Sequence, residues 1–324
     1  MTGGRGAPGL LDRMVQDSLG WLDEAQPFFR LPANVTTDAD PNLTLKPLGE
    51  LAELMHVIAS LHPHADIRES ADGLLAFAWE ETFDGELFAE LIRGEPHATY
   101  PVEIYGVFAR TGLRNPAVEE LLSTTTRLRG WRVAREDHTR TLGVLNAERR
   151  IGHPPHADFD AVLQHTGLGR LPEPWALDRK AVYGLTHDVF HLTDWGRAPG
   201  RLPAELAGYL ALWLPSWLEN WLEEQLWDLA GELLAVTACL PEAPYDPVAW
   251  QRLAAAQAAD GSVPETGAAP RPDEPAEAFT ACYHSTLVTA FAGTLARIAP
   301  GPSPEGSGAA ATALRTPCES EVIP

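Results

Sequence analysis

Pro47-Leu-Gly-Glu-Leu-Ala-Glu-Leu-Met-His-Val-Ile-Ala-Ser-Leu61 decides the fold class. Leu48, Leu51, Leu54, Met55 and Ile58 recur at three- and four-residue intervals, which puts them on one face of an α-helix, and Pro47 suits its first turn. The same period recurs outward along the chain. Leu10–Ala25 repeats it through Leu11, Met14, Val15, Leu19 and Leu22, and Pro27 and Pro32 close that helix. Further helices are predicted at 67–80, 84–93, 100–111, 116–127, 135–151, 159–166, 181–195, 203–213, 216–239, 247–257 and 275–298, several opening on Pro and ending near Gly. No stretch alternates β-branched residues for long enough to make a strand. The pattern predicts an all-α chain of antiparallel helical hairpins, a single helical domain over 1–298. The Pro/Gly/Ser-rich segment 299–324 is predicted to be a disordered tail and Ala258–Glu274 a loop.

Bulk properties exclude several functions. The 324 residues are 45% hydrophobic and carry a formal net charge of -21, which opposes both nucleic-acid phosphates and anionic membranes. Three cysteines, Cys239, Cys282 and Cys318, make no disulfide framework, and the N-terminus lacks the apolar run of a signal peptide. A cytoplasmic location is expected. The most apolar stretch, Leu206–Leu240, is interrupted by Pro215 and by acidic residues. It reads as a buried helix pair, broken after Trp213, and not as a membrane span.

Potential chemistry concentrates in Tyr183-Gly-Leu-Thr-His-Asp-Val-Phe-His-Leu-Thr-Asp-Trp-Gly196. His187 and His191 are four apart and Asp194 follows three later, so a helix stacks all three on one side. Two imidazoles and a carboxylate can hold a divalent metal or relay a proton. The blander account is that Asp194 caps and pairs helices while His191 packs in a groove. Asp188 stands where the general-base Glu of HExxH would be, which argues against a protease-type zinc site. Tyr283 and His284 interrupt a helix that is otherwise small and apolar, where an imidazole needs a partner. Trp217 and Trp221 share a helical face and form either an aromatic substrate wall or core packing. Asp228 and Glu232, four apart in apolar company, are further carboxylates for a histidine site. No GxSxG turn or phosphate-binding Gly-rich loop is present, so nucleotide cofactors are not expected.

Trp250-Gln-Arg-Leu-Ala-Ala-Ala-Gln-Ala-Ala-Asp-Gly-Ser262 resembles the helix end and QxxDGS turn of terpenoid cyclases and prenyltransferase β-subunits. That resemblance implies an α/α toroid, paired helices in an inner and an outer ring around a cavity. Ala281-Cys-Tyr-His-Ser285 is similar to the prenyltransferase helix whose His binds zinc, which implies a ligand role for His284. The Asp-x-Cys ligand pair and the Asp-x-Asp-Asp acid motif of those families are absent, so their activities do not carry over. The stretch around His187 also resembles a helical domain of unknown function common in actinobacteria.

The expectation is an enzyme of bacterial specialised metabolism that cyclises, eliminates or hydrolyses a small apolar or peptide-derived substrate in a helix-lined cavity. His187, Asp194, His284 and Tyr183 are its expected catalytic residues. His187, His191, Asp228 and His284 are expected ligands of a divalent metal, zinc by imidazole content, with iron or manganese also suited to N/O ligation. Trp217, Trp221 and Tyr283 are the expected substrate contacts. Without a metal, the same residues would work as an acid/base pair. The alternative is a non-catalytic helical protein that binds or sequesters its ligand, as immunity and resistance proteins do.

Overall fold

The computed structural model describes residues 8–299 apart from 38, 39, 42, 134 and 270–273. Its α-helices are α1 (Pro8–Glu24), α2 (Gln26–Phe29), α3 (Leu45–Leu61), α4 (Ala65–Glu81), α5 (Glu86–Gly94), α6 (Tyr100–Thr111) and α7 (Pro116–Thr125). There follow α8 (His138–Ile151), α9 (Phe159–Leu163), α10 (Arg179–Thr193), α11 (Ala204–Glu223), α12 (Trp227–Ala238), α13 (Pro247–Ala256) and α14 (Pro275–Ile298). Among the described residues the sole β pairing is one antiparallel bridge, Leu226 to Thr266. The all-α expectation holds. The predicted tail, 299–324, lies outside the described residues except for Ala299.

Helix starts follow the local chemistry. Asp137, Asp158, Asp178 and Asp246 accept hydrogen bonds from the first-turn amides of α8, α9, α10 and α13, and Asn115 does so for α7 ahead of Pro116. One predicted boundary is wrong. Pro215 does not break the chain after Trp213; α11 runs through it to Glu223. Pro215 is exposed, while Leu210, Leu214, Leu218 and Leu222 bury one stripe on both sides of it, so packing holds the helix together. The real break falls at Glu224–Leu226, where Gln225 takes a left-handed φ of 56°.

Six helices meet in a circuit. α3 packs on α6, α6 on α8, α8 on α10, α10 on α12, α12 on α14, and α14 returns to α3. The others cover them from outside: α1 lies on α14 and α4, α4 on α3, α5 on α6, α9 on α8, and α11 and α13 on α12. The QxxDGS turn is structural in this setting. Gln257 Nε2 donates to Met14 O (3.1 Å), Ser18 Oγ (3.1 Å) and Gly261 O (3.0 Å), fastening the loop after α13 to α1. Gly261 has φ 93°, and a Cβ there would lie 2.1 Å from Asp17 O, so only glycine fits. Among the described residues, no helix is long and apolar enough to cross a membrane.

Candidate functional site

The circuit encloses a cavity of about 650 Å³, and all six of its helices contribute wall residues. That volume suits a small-molecule ligand. Its polar side is a line of alternating acids and imidazoles, one from each of four helices: Glu50 (α3), His284 (α14), Glu232 (α12) and His187 (α10). His284 Nδ1 lies 3.4 Å from Glu50 Oε2, and His284 Nε2 lies 3.4 Å from Glu232 Oε1. Glu232 Oε2 is 3.7 Å from His187 Nδ1 and accepts the Thr186 hydroxyl.

Each group's protonation follows from its neighbours. Burial works against charge on His284, yet Glu50 and Glu232 lift it well above the ordinary imidazole value, so it is an imidazolium. Burial likewise opposes ionisation of Glu232, but His187 and His284 outweigh it and hold its carboxyl below the usual range. Glu50 behaves the same way, with burial overcome chiefly by His284. His187 Nδ1 sits 2.8 Å from Tyr183 O, one turn back on α10. As a carbonyl can only accept, Nδ1 carries a proton, and Nε2 is the ring nitrogen not committed to the backbone.

His191 also lines the cavity but has different surroundings. Burial first, then His187 and Arg150, push its pKa down to about 3, and its Nδ1 has no hydrogen-bond partner. Gly143 makes room for it: a Cβ there would meet the His191 ring at 3.0 Å. The remaining wall is apolar and aromatic. Phe190 stacks on Trp195 at 5.1 Å between centroids, and Phe291 meets both edge-on at 5.3 and 5.8 Å.

A domain of unknown function (DUF6895) matches residues 15–294. The chain belongs to that family. The span that defines this DUF6895 chain runs from α1 into α14 and takes in all six cavity helices and the Glu50–His284–Glu232–His187 line. No curated protein and no solved structure matches it.

Of the residues singled out from sequence, His187 and His284 meet across Glu232, although 97 positions separate them. Asp194 does not join them. It ends α10 in a left-handed conformation (φ 51°), turns away from the cavity, and binds Arg110 at 2.5 Å and Arg150 at 3.1 Å. Tyr183 and Asp228 bond each other outside the lining, with Arg179 over the Tyr183 ring at 5.6 Å. Tyr283 is not part of the cavity lining; burial first, then Glu50, pushes its phenol pKa up. Trp217 and Trp221 lie on α11, an outer helix, and neither lines the cavity; Trp217 Nε1 donates to Pro174 O at 3.0 Å. The aromatic wall of the cavity is made instead by Phe190, Trp195 and Phe291. Asp188 is a buried brace, accepting from Thr139 Oγ1 (2.8 Å) and Leu168 N (3.0 Å).

Among the described residues, no three His, Cys, Asp or Glu side chains are grouped to share a metal ion. His284, with a carboxylate at each ring nitrogen and its proton retained, has no lone pair to offer one. The expected ligand set therefore does not fit a metal in this arrangement. Sequence reasoning missed Glu50 altogether, and Glu53, which pairs with Arg150 beside the cavity floor. The available signal was two carboxylates within a helix whose other residues are apolar nearly all round.

Proposed function

We propose that the six-helix circuit is the inner ring of an α/α toroid and that its cavity is a reaction centre for a small amphipathic molecule. His187 is the proton acceptor. Glu232 stands at its Nδ1 side, fixes the tautomer with the Tyr183 carbonyl, and stabilises the imidazolium that forms when Nε2 takes a proton. His284, already charged, is the donor that returns a proton to the product or steadies negative charge developing on the substrate. Cyclisation, elimination and hydrolysis can each use such a pairing of a base with a held acid. The observation that carries the reading is the commitment of His187 Nδ1 beside a buried carboxylate in the wall of a ligand-sized cavity. Metal chemistry has no part in the proposal, because the donor set does not suit it.

The test is conversion. Purified protein is incubated with small-molecule extracts, and the mixture is compared by mass spectrometry with one treated with His187→Gln. A compound consumed by the wild type and spared by the variant is expected. Compounds that bind and are recovered unchanged from both proteins would overturn catalysis and make the chain a sequestering protein.

A further inference from the structure

The charge balance of the cavity is uneven. Four cations face it, and each is already engaged by a carboxylate. Lys46 Nζ is 3.5 Å from Glu50, Arg140 Nε 3.1 Å from Glu103, Arg150 Nη1 2.5 Å from Glu53, and His284 lies between Glu50 and Glu232. Asp137 is a fifth carboxylate in the lining, bonded only to the Arg140 amide at the start of α8. Among the described lining residues, no lysine or arginine is left free for an anionic ligand. Acceptors, in contrast, are in surplus. His187 commits Nδ1 to Tyr183 O and leaves Nε2 for a ligand, and the neutral His191 ring has one acceptor nitrogen in either tautomer. Glu50 Oε2 makes no hydrogen bond although it is shielded from solvent.

We infer that the molecule this cavity takes is an amphipathic amine, its ammonium head held at Glu50 and its apolar body against Phe190, Trp195 and Phe291. The inference rests on the proposed reaction centre and names its substrate class. An ammonium brings three donors and a positive charge to a wall rich in acceptors, and three aromatic rings stand ready for its apolar part and for cation–π attraction. Lys46 already presents an ammonium to Glu50 from the rim. Its side chain is half exposed, so the pair is weak and a ligand can displace it. A carboxylate or phosphate head would enter among five carboxylates with no unpaired lysine or arginine in the described lining, at a large desolvation cost.

A matched trio tests this: 3-phenylpropylamine, 3-phenylpropanol and 3-phenylpropionate, titrated into the full chain and followed by calorimetry. The amine is expected to bind about tenfold tighter than the alcohol, with the carboxylate weakest. Glu50→Gln should bring the amine down to the level of the alcohol, and Lys46→Met should tighten the amine. Equal binding of amine and alcohol, or a carboxylate that binds best and is lost in Lys46→Met, overturns the amine while leaving the cavity a binding site. If none of the three binds at millimolar concentration, the inference fails, and the conversion experiment alone decides whether the reaction centre fails with it. The wild-type trio needs no variant, so misfolding of Glu50→Gln would not rescue the idea.

Discussion

His187 and Asp194 are seven residues apart in the chain, yet they belong to different machines. His187 stays on the helical face of α10, keeps an open ring nitrogen and leans on Glu232. Asp194 falls one residue past the helix, where φ turns positive, and is consumed by two guanidiniums. Burial first opposes ionisation of Asp194, but Arg150 and Arg110 hold its carboxyl well below the usual range. A polar residue with an unspent hydrogen-bonding capacity faces the cavity, and one whose capacity is fully spent braces the scaffold. This difference separates chemistry from architecture better than residue type does.

The sharpest way to break that contrast is to strike the scaffold side. Arg150→Met leaves Glu53 and Asp194 without their shared partner, and removing one member of a buried ion pair costs about 3–5 kcal/mol. Chemical denaturation should show a loss of that order. A loss below ~1 kcal/mol would mean that the Asp194 cluster is not a brace, since that is the range of surface pairs.

Gly143→Ala tests the join between the two regions. The new methyl would press on the His191 ring at 3.0 Å, and overpacking of this kind costs about 1–3 kcal/mol. Unchanged stability would show that His191 can move freely.

Two imidazoles in one cavity should respond to pH in opposite directions. The unfolded His191 takes a proton below its ordinary value of 6.5, whereas the folded ring resists until about pH 3. The unfolded state then binds more protons, so His191 lowers stability progressively as the pH falls from 6.5 toward 3. His56, buried beside Arg197 and pushed down to about 3, adds to the same acid limb. His284 is the reverse: its contribution is complete below 6.5 and is lost as pH rises through its elevated folded value. Thermal melts across pH should therefore show an acid limb that flattens in His191→Phe. An alkaline decline should disappear in His284→Gln. An acid limb unaltered by His191→Phe would sink the assignment of a neutral, buried ring.

The smallest effect on stability is expected at His187→Gln, which should cost under ~1 kcal/mol at a partly exposed position while abolishing conversion. If instead it unfolds the protein and Trp217→Phe on the outer helix abolishes conversion, the two regions have been assigned the wrong way round.

The helical class was legible because apolar residues in α1, α3 and α11 keep a 3.6-residue period. His187 and His284 were legible as imidazoles in apolar helices. Their meeting was not, since only the packing of α10, α12 and α14 brings them to Glu232. Helical spacing misplaced Asp194, because the last turn of α10 does not continue to it. The tryptophan series has correct spacing in α11, but spacing does not say whether a helix lies inside or outside a circuit. Pro215 misled for a related reason: its cost was weighed without the leucine stripe that offsets it.

One consequence of the circuit concerns how the molecule comes into being. α14, last in chain order, packs between α3 and α12, lies along α1, and carries His284; Arg297 Nε reaches Asp12 at 3.0 Å. During vectorial synthesis, α3 and α12 must wait with bare apolar flanks until α14 emerges. The nascent chain is then most exposed to aggregation and to chaperones just before α14 emerges. The cavity closes only after α14 has docked, so a chain cut short before it carries His187 but never His284.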